Sequence, residues 1–319
     1  MPIRTFHFPV LFWRPAEEFD SVAEPPFALS RRKWETTVFD LATLASRHRL
    51  HLPYQLMDVL LSRCNLEVSV EAEDLDHAVE HLNSLFLGAY LAGASPSLAP
   101  FATSHSINEY SGINSRDSGS LRKDLPPDLQ RGPLSDEIVL EAWPVQLSLH
   151  CKTLPNTLGI TVNQFKLAAD KANQWMALEA MQPALKVVRD SALAAPLLPS
   201  LDQSLLHLWC ALEALFPKVN TEVSFRLGLY LAQLIGPAEE REAVFQCARK
   251  EYNIRSKVAH GARQGIALED WERAWQLLLD AGNAIVDRGS LPAEDDLLRE
   301  LFSSEGDQMI ANKAMESTR

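Results

Sequence analysis

The sequence predicts an α+β N-terminal domain followed by an all-α helical bundle, mainly α overall. Three observations carry this. Before about residue 160, short runs such as Leu66-Glu-Val-Ser-Val-Glu71 alternate apolar and polar residues at the period of a strand. From about Gln164 onward almost every segment spaces its apolar residues at three and four, the period of a helix. Residues 93–135, rich in Ser, Gly, Pro and Asn, carry neither period. A chain of 319 residues fits two domains. The boundaries read from these patterns are residues 1–160 for the α+β domain, 161–290 for the bundle and 291–319 for an acidic tail.

In chain order, residues 3–13 read as a strand with an edge or bulge at Pro9. Pro15, Pro25 and Pro26 break the stretch that follows. A helix is expected from about Ser30 to Arg47, with Trp34, Val38, Leu41, Leu44 and Ala45 on one face, and a shorter one near 54–62. The strand at 66–71 precedes an amphipathic helix from Asp74 to Ala92, seamed by Leu75, Val79, Leu82, Leu85, Phe86 and Ala89. His77 and His81 stand four apart on that helix, but no third ligand accompanies them, so they are not read as a metal site. Strands are expected at 138–143, 145–150 and 158–162. In the second half, helices are expected at 165–194 with a break near Pro183, then 201–216, 222–235, 237–260 and 268–287. A short acidic helix is expected near 294–302.

Composition narrows the function classes. No apolar run approaches the roughly 18 residues of a membrane span, and the N-terminus lacks the basic-then-apolar layout of a signal peptide. The four cysteines, Cys64, Cys151, Cys210 and Cys247, are too far apart for a zinc or redox motif, and Cys210 reads as a plain buried thiol. The expected location is the cytoplasm. Net charge is −12, which excludes a protein that coats nucleic acid with its whole surface. Charge is nevertheless uneven: between Arg241 and Arg263 six cations face only Glu242 and Glu251. That local basic patch reads either as a solvated helix face, which charge alone favours, or as a surface for a short segment of RNA.

The centre of the patch is Arg249-Lys-Glu-Tyr-Asn-Ile-Arg-Ser-Lys-Val-Ala-His-Gly261. It reads as the last turns of a helix, with Gly261 at the left-handed stop position and His260 at the end, where carbonyl dipoles favour an imidazolium. The side chain of Arg255, five residues earlier, is long enough to reach forward, so that guanidinium and imidazole converge on one anion near the helix end.

The order of segments around this run resembles the HEPN superfamily, and most closely its Apea-like branch. Residues 205–216, 225–236, 240–245, the run Ile254-Arg-Ser-Lys-Val-Ala-His-Gly261 and a final helix from Glu269 carry the resemblance, over about the last 40% of the chain. It implies an all-α HEPN-type bundle that cleaves RNA without a metal or other cofactor, through an Arg-x4-His motif, in a homodimer that joins two motifs. By that resemblance Arg255 and His260 are the catalytic residues, and Ser256 and Glu213 support them. Asn253, Lys257, Arg249 and Lys250 are the candidate RNA contacts. The implied role is a prokaryotic stress or anti-phage effector of toxin type, with residues 1–160 receiving a regulatory partner or trigger. Ala262 stands where some HEPN toxins carry a modified tyrosine. Not every HEPN domain cleaves RNA, so a non-catalytic RNA- or nucleotide-binding or assembly module is the alternative.

Overall fold

The computed structural model describes residues 2–11, 13–47, 64–94, 98–112, 140–142, 159–261 and 265–302. The expected helix at 54–62, the strand at 145–150, the four cations of the irregular stretch 93–135 (Arg116, Arg122, Lys123 and Arg131), Cys151 and Arg263 lie outside them. The described chain is mainly helical with an antiparallel sheet and forms two compact units, one built on described residues up to Asn173 and one on those from Gln174 onward. No described helix is long and apolar enough to cross a membrane.

The first unit is built on a six-stranded sheet in the order β3-β4-β5-β1-β6-β7. Its strands are β1 (Arg4–Val10), β3 (Ser21–Glu24), β4 (Phe27–Arg31), β5 (Leu66–Ala72), β6 (Phe101–Thr103) and β7 (Leu140–Ala142); β2 (Arg14–Pro15) pairs in parallel with β8 (Gly159–Ile160). β1 lies inside the sheet, not at its edge. It pairs with β5 along its whole length, Arg4 opposite Ala72 to Val10 opposite Leu66. On its other side His7 faces Thr103 while Leu11 bridges Leu98, a slip of one residue across Pro9. The extra residue of that slip lies on the 98–103 segment, so the bulge sits on the strand opposite Pro9 and not in β1, which pairs without interruption along β5.

Two expectations for this unit need correction. Pro25 and Pro26 do not merely interrupt the chain: they form the turn of the β3–β4 hairpin. The helix expected from Ser30 begins only at Val38, as α1 (Val38–Arg47). Ser30 and Arg31 are instead paired with Glu67 and Leu66 of β5, so tertiary pairing overrides local helix propensity. The helix start is fixed by a reciprocal cap, in which the Thr37 N–H and hydroxyl donate to the Asp40 carboxylate and the Asp40 N–H donates to Thr37 Oγ1.

Phe8, Leu29, Leu66, Val68 and Val70 are buried on the sheet. The buried side chains of α2 (Leu75–Leu91) include Leu82, Leu85, Phe86 and Tyr90. Asp74 caps α2 by accepting the His77 N–H at 2.9 Å. Among described residues no cluster of three or more metal-ligating side chains occurs. Gly88 of α2 lies against the backbone of α3 (Val162–Met181). A Cβ there would stand 2.2 Å from the Ala168 carbonyl oxygen and 3.0 Å from the Ala172 nitrogen. Gly88→Ala should therefore destabilise this unit by about 1–3 kcal/mol or more, since backbone cannot step aside as a side-chain tip can. A urea midpoint equal to wild type would contradict this packing.

Glu67 of β5 is fully buried yet charged. Its carboxylate accepts from Ser106 Oγ and from the Ile107 N–H, each at 2.8 Å, with His7 Nδ1 and Arg32 Nε each at 3.5 Å. Burial pushes its pKa up, but these partners outweigh it and hold the carboxyl below its ordinary value. A depressed carboxylate contributes stability above the unfolded-chain value of about 4.3, and loses it as pH falls through the folded value. Glu67→Gln should thus be less stable than wild type at pH 7, with the gap closing toward pH 3 in urea titrations. A gap independent of pH would contradict the charged form.

The second unit contains the end of α3 followed by α4 (Ala184–Ala194), α5 (Leu201–Ala214), α6 (Val223–Ile235), α7 (Arg241–Ala259) and α8 (Leu268–Arg288). Residues 294–302 are helical. The sequence break near Pro183 separates α3 from α4. The division between the units falls inside α3, between Asn173 and Gln174, and not at residue 160. Leu205, Leu208, Trp209 and Leu212 of α5, Leu227, Tyr230 and Leu231 of α6, and Trp271, Trp275, Leu278 and Ile285 of α8 form the core. Trp271 Nε1 donates to Ser204 Oγ at 2.6 Å, and the Ser204 hydroxyl donates to the Ala195 carbonyl. That relay ties α8 to α5 and to the turn after α4.

Candidate functional site

α7 follows α6 after the turn at residues 236–240, where the Glu240 N–H donates to the Pro237 carbonyl. The turn delays the helix start to Arg241, four residues later than the sequence suggests. At the far end His260 closes the helix, its N–H donating to the Ser256 and Val258 carbonyls. Gly261 follows with φ +68°, the left-handed stop expected from the sequence.

Successive residues of a helix turn by about 100°. Arg249, Lys250, Asn253, Ser256, Lys257 and His260 therefore share one side of α7. Lys250, Asn253, Lys257 and His260 are exposed, whereas Arg249 and Ser256 are half-buried. Glu251, the one carboxylate between residues 246 and 261, is fully buried on the opposite side, where Arg273 of α8 pairs with it. Burial raises the Glu251 pKa, and the Arg273 hydrogen bond partly offsets that rise. From Arg249 to His260 the solvent side thus carries three cations, an amide, a hydroxyl and an imidazole with no carboxylate among them; Glu242 shares that side in the first turn of α7. Arg249, Lys250 and Lys257 form no ion pair among the described residues.

Arg255 stands about 140° around the helix from His260 and faces α5. Its Nη2 lies 2.9 Å from Glu213 Oε1, at an angle too poor for a hydrogen bond. Its guanidinium carbon lies 5.5 Å from the centroid of the Tyr252 ring, and that ring meets Trp209 edge-on at 5.2 Å. The side chains of Arg255 and Glu213 are only 22% and 32% exposed, so the pair is screened less than a surface pair. Burial raises the Glu213 pKa, and the neighbouring Arg255 charge partly offsets the rise. The same burial, reinforced by the Glu213 carboxylate, raises the Tyr252 phenol.

The sequence-derived candidates therefore fall into two groups within one protomer. Asn253, Lys257, Lys250, Arg249, Ser256 and His260 share the solvent side. Arg255 and Glu213 form a pair on the flank, and among described residues no hydrogen bond or ion pair joins Arg255 to His260. The forward reach of Arg255 is replaced by an approach to Glu213, because a guanidinium on the packed side of α7 has a half-buried carboxylate within range. The five-residue spacing already contained this separation.

Sequence reading missed Tyr252 and Trp209 as the aromatic bed beneath Arg255. It also missed the exposure of Cys210, one turn before Glu213 on the same side of α5. Cys210 was expected to be buried because its neighbours are apolar; the helical phase of α5 turns it outward. Cys64, in contrast, is buried, and burial pushes its thiol up to about 12.

Glu213→Gln keeps the shape and removes the negative charge beside Arg255. If the cationic side of α7 binds RNA, this change should tighten that binding about two- to fivefold by freeing the guanidinium for phosphate, while lowering any cleavage rate that depends on the orientation of Arg255. A parallel fall in affinity and rate would show instead that Glu213 only holds the fold. The chain matches no protein-family model, no curated protein and no solved structure.

Proposed function

We propose that the helical bundle is a metal-independent endoribonuclease of the HEPN type, acting as a homodimer in a prokaryotic stress or anti-phage setting. The observation that carries this reading is the solvent side of the last three turns of α7, Arg249 to His260, which is cationic and without a carboxylate on a chain of net charge −12 and ends at an exposed histidine. RNA lies along that side, with Arg249, Lys250 and Lys257 on its phosphates and Asn253 beside them. His260 removes the proton from a ribose 2′-OH as O2′ forms its bond to phosphorus. The P–O5′ bond breaks, and the leaving O5′ takes a proton from water. Arg255 sets its fork on the non-bridging oxygens and offsets the charge of the phosphorane. Because Arg255 and His260 diverge around one helix, each site takes Arg255 from one protomer and His260 from its partner.

A second reading is favoured by the Arg255–Glu213 pair itself: an arginine already held by a carboxylate and an aromatic ring serves packing. The bundle is then a non-catalytic RNA-binding or assembly module. Incubation of the purified protein with end-labelled RNA in excess EDTA separates the two. Products ending in 2′,3′-cyclic phosphate and 5′-hydroxyl are expected from the nuclease. Retained RNA binding without products selects the second reading.

A further inference from the structure

The RNA-facing side of α7 runs past an aromatic group that the reading above does not use. Phe225, in the first turn of α6, leaves 47% of its surface in solvent, unusual for a large apolar side chain. Its ring meets Phe245 of α7 edge-on, with centroids 5.5 Å apart. The guanidinium carbon of Arg249 lies 5.3 Å from the Phe245 centroid. Gly228 makes room for this group, since a Cβ there would stand 3.0 Å from Arg249 Cγ and 3.1 Å from the Phe245 ring. Arg249 Nε has no hydrogen-bond partner among the described residues. Aromatic faces and an unpaired guanidinium thus sit together where the cationic side of α7 begins. Arg249 lies eleven residues before His260, about 16 Å of helix rise.

We infer that Phe225, with Phe245 and Arg249, is a stacking platform for an unpaired nucleobase, and that the substrate class of this site is single-stranded RNA. The inference rests on the RNA-cleaving reading and adds strand state to it. A nucleobase offers a π-face to Phe225 only when it is unpaired, because a duplex buries both faces in its own stack. The phosphates on either side of that base meet Arg249 and Lys250. The strand then continues past Asn253 and Lys257 toward His260, a distance that a few extended nucleotides span. A protein partner seated on Phe225 would have to place its own carboxylates against these cations, whereas a single strand supplies both the ring and the anions.

The test is equilibrium binding of the full-length protein to a fluorescein-labelled, unstructured 2′-O-methyl oligoribonucleotide, which lacks the attacking hydroxyl, and to the same strand annealed to its complement. Wild type should prefer the single strand. Phe225→Ala should weaken single-strand binding about tenfold and leave both duplex binding and salt dependence unchanged; Phe225→Trp should restore the affinity. Lys250→Ala combined with Lys257→Ala should weaken both forms and flatten the salt dependence. Unchanged single-strand affinity in Phe225→Ala overturns the platform while leaving RNA binding standing. So does an equal loss on single strand and duplex. A change in sedimentation caused by Phe225→Ala also overturns it, assigning the ring to a protein contact. If wild type binds neither RNA, the underlying RNA reading fails together with the platform.

Discussion

His260→Ala is expected to lower RNA cleavage by about 10²- to 10⁴-fold, the range for loss of a general acid or base. RNA affinity should change by no more than about threefold, because in the proposed binding mode Arg249, Lys250 and Lys257 continue to hold the phosphates. The side chain is exposed at the helix end, and its backbone N–H, not its ring, closes the helix. Alanine therefore preserves the fold, and the loss falls on the chemical step. Arg255→Lys is a companion change. It keeps the charge but not the planar fork, so it should recover little of the activity lost in Arg255→Ala. Single-turnover rates beside equilibrium affinities make the distinction. A variant at His260 that weakens binding and rate together would make His260 an RNA contact and not a proton-transfer group.

Trp271→Ala should destabilise the helical unit by about 3–5 kcal/mol, a large share of the roughly 5–15 kcal/mol that holds a domain folded. Trp271 is fully buried and stacks on Trp275, with centroids 5.4 Å apart and planes 11° from parallel. Alanine leaves a cavity the size of an indole and takes the donor from Ser204, whose hydroxyl still serves the Ala195 carbonyl. Trp271→Phe should cost less, about 1–3 kcal/mol, because most of the ring volume stays and one hydrogen bond is lost. Thermal unfolding followed by circular dichroism measures both. A loss below about 1 kcal/mol for the alanine variant would contradict the packing of α8 against α5.

The helical half was legible in the sequence because each helix there carries its own periodic seam and ends at Pro or Gly. Pro183, Pro217 and the Gly236-Pro237 pair all mark real ends. The N-terminal half was less legible because its strands are fixed by partners far along the chain. Ser30 and Arg31 look helical locally and become strand only by pairing with β5. Pro25-Pro26 looks locally like an interruption, because the turn it forms is visible only once Ser21–Glu24 and Phe27–Arg31 pair. The start of α1 does carry a local signal, since Thr37-x-x-Asp40 is a helix-start pattern.

At the site, the clustering of Lys250, Asn253, Lys257 and His260 follows from spacing alone. The placement of Arg255 depends on the phase of α7 against α5. The aromatic group around Phe225 depends on contact between separate helices, which no spacing within one segment reveals.

The measurement that tests the shared site most directly is RNA cleavage by a mixture of two inactive proteins, Arg255→Ala and His260→Ala. If each site draws Arg255 from one protomer and His260 from its partner, mixed dimers regain one intact site of two. A one-to-one mixture should then reach roughly a quarter of wild-type activity, after statistical exchange of a twofold dimer. A mixture that stays as inactive as its components, with subunit exchange demonstrated by mass, would contradict a site assembled from two protomers.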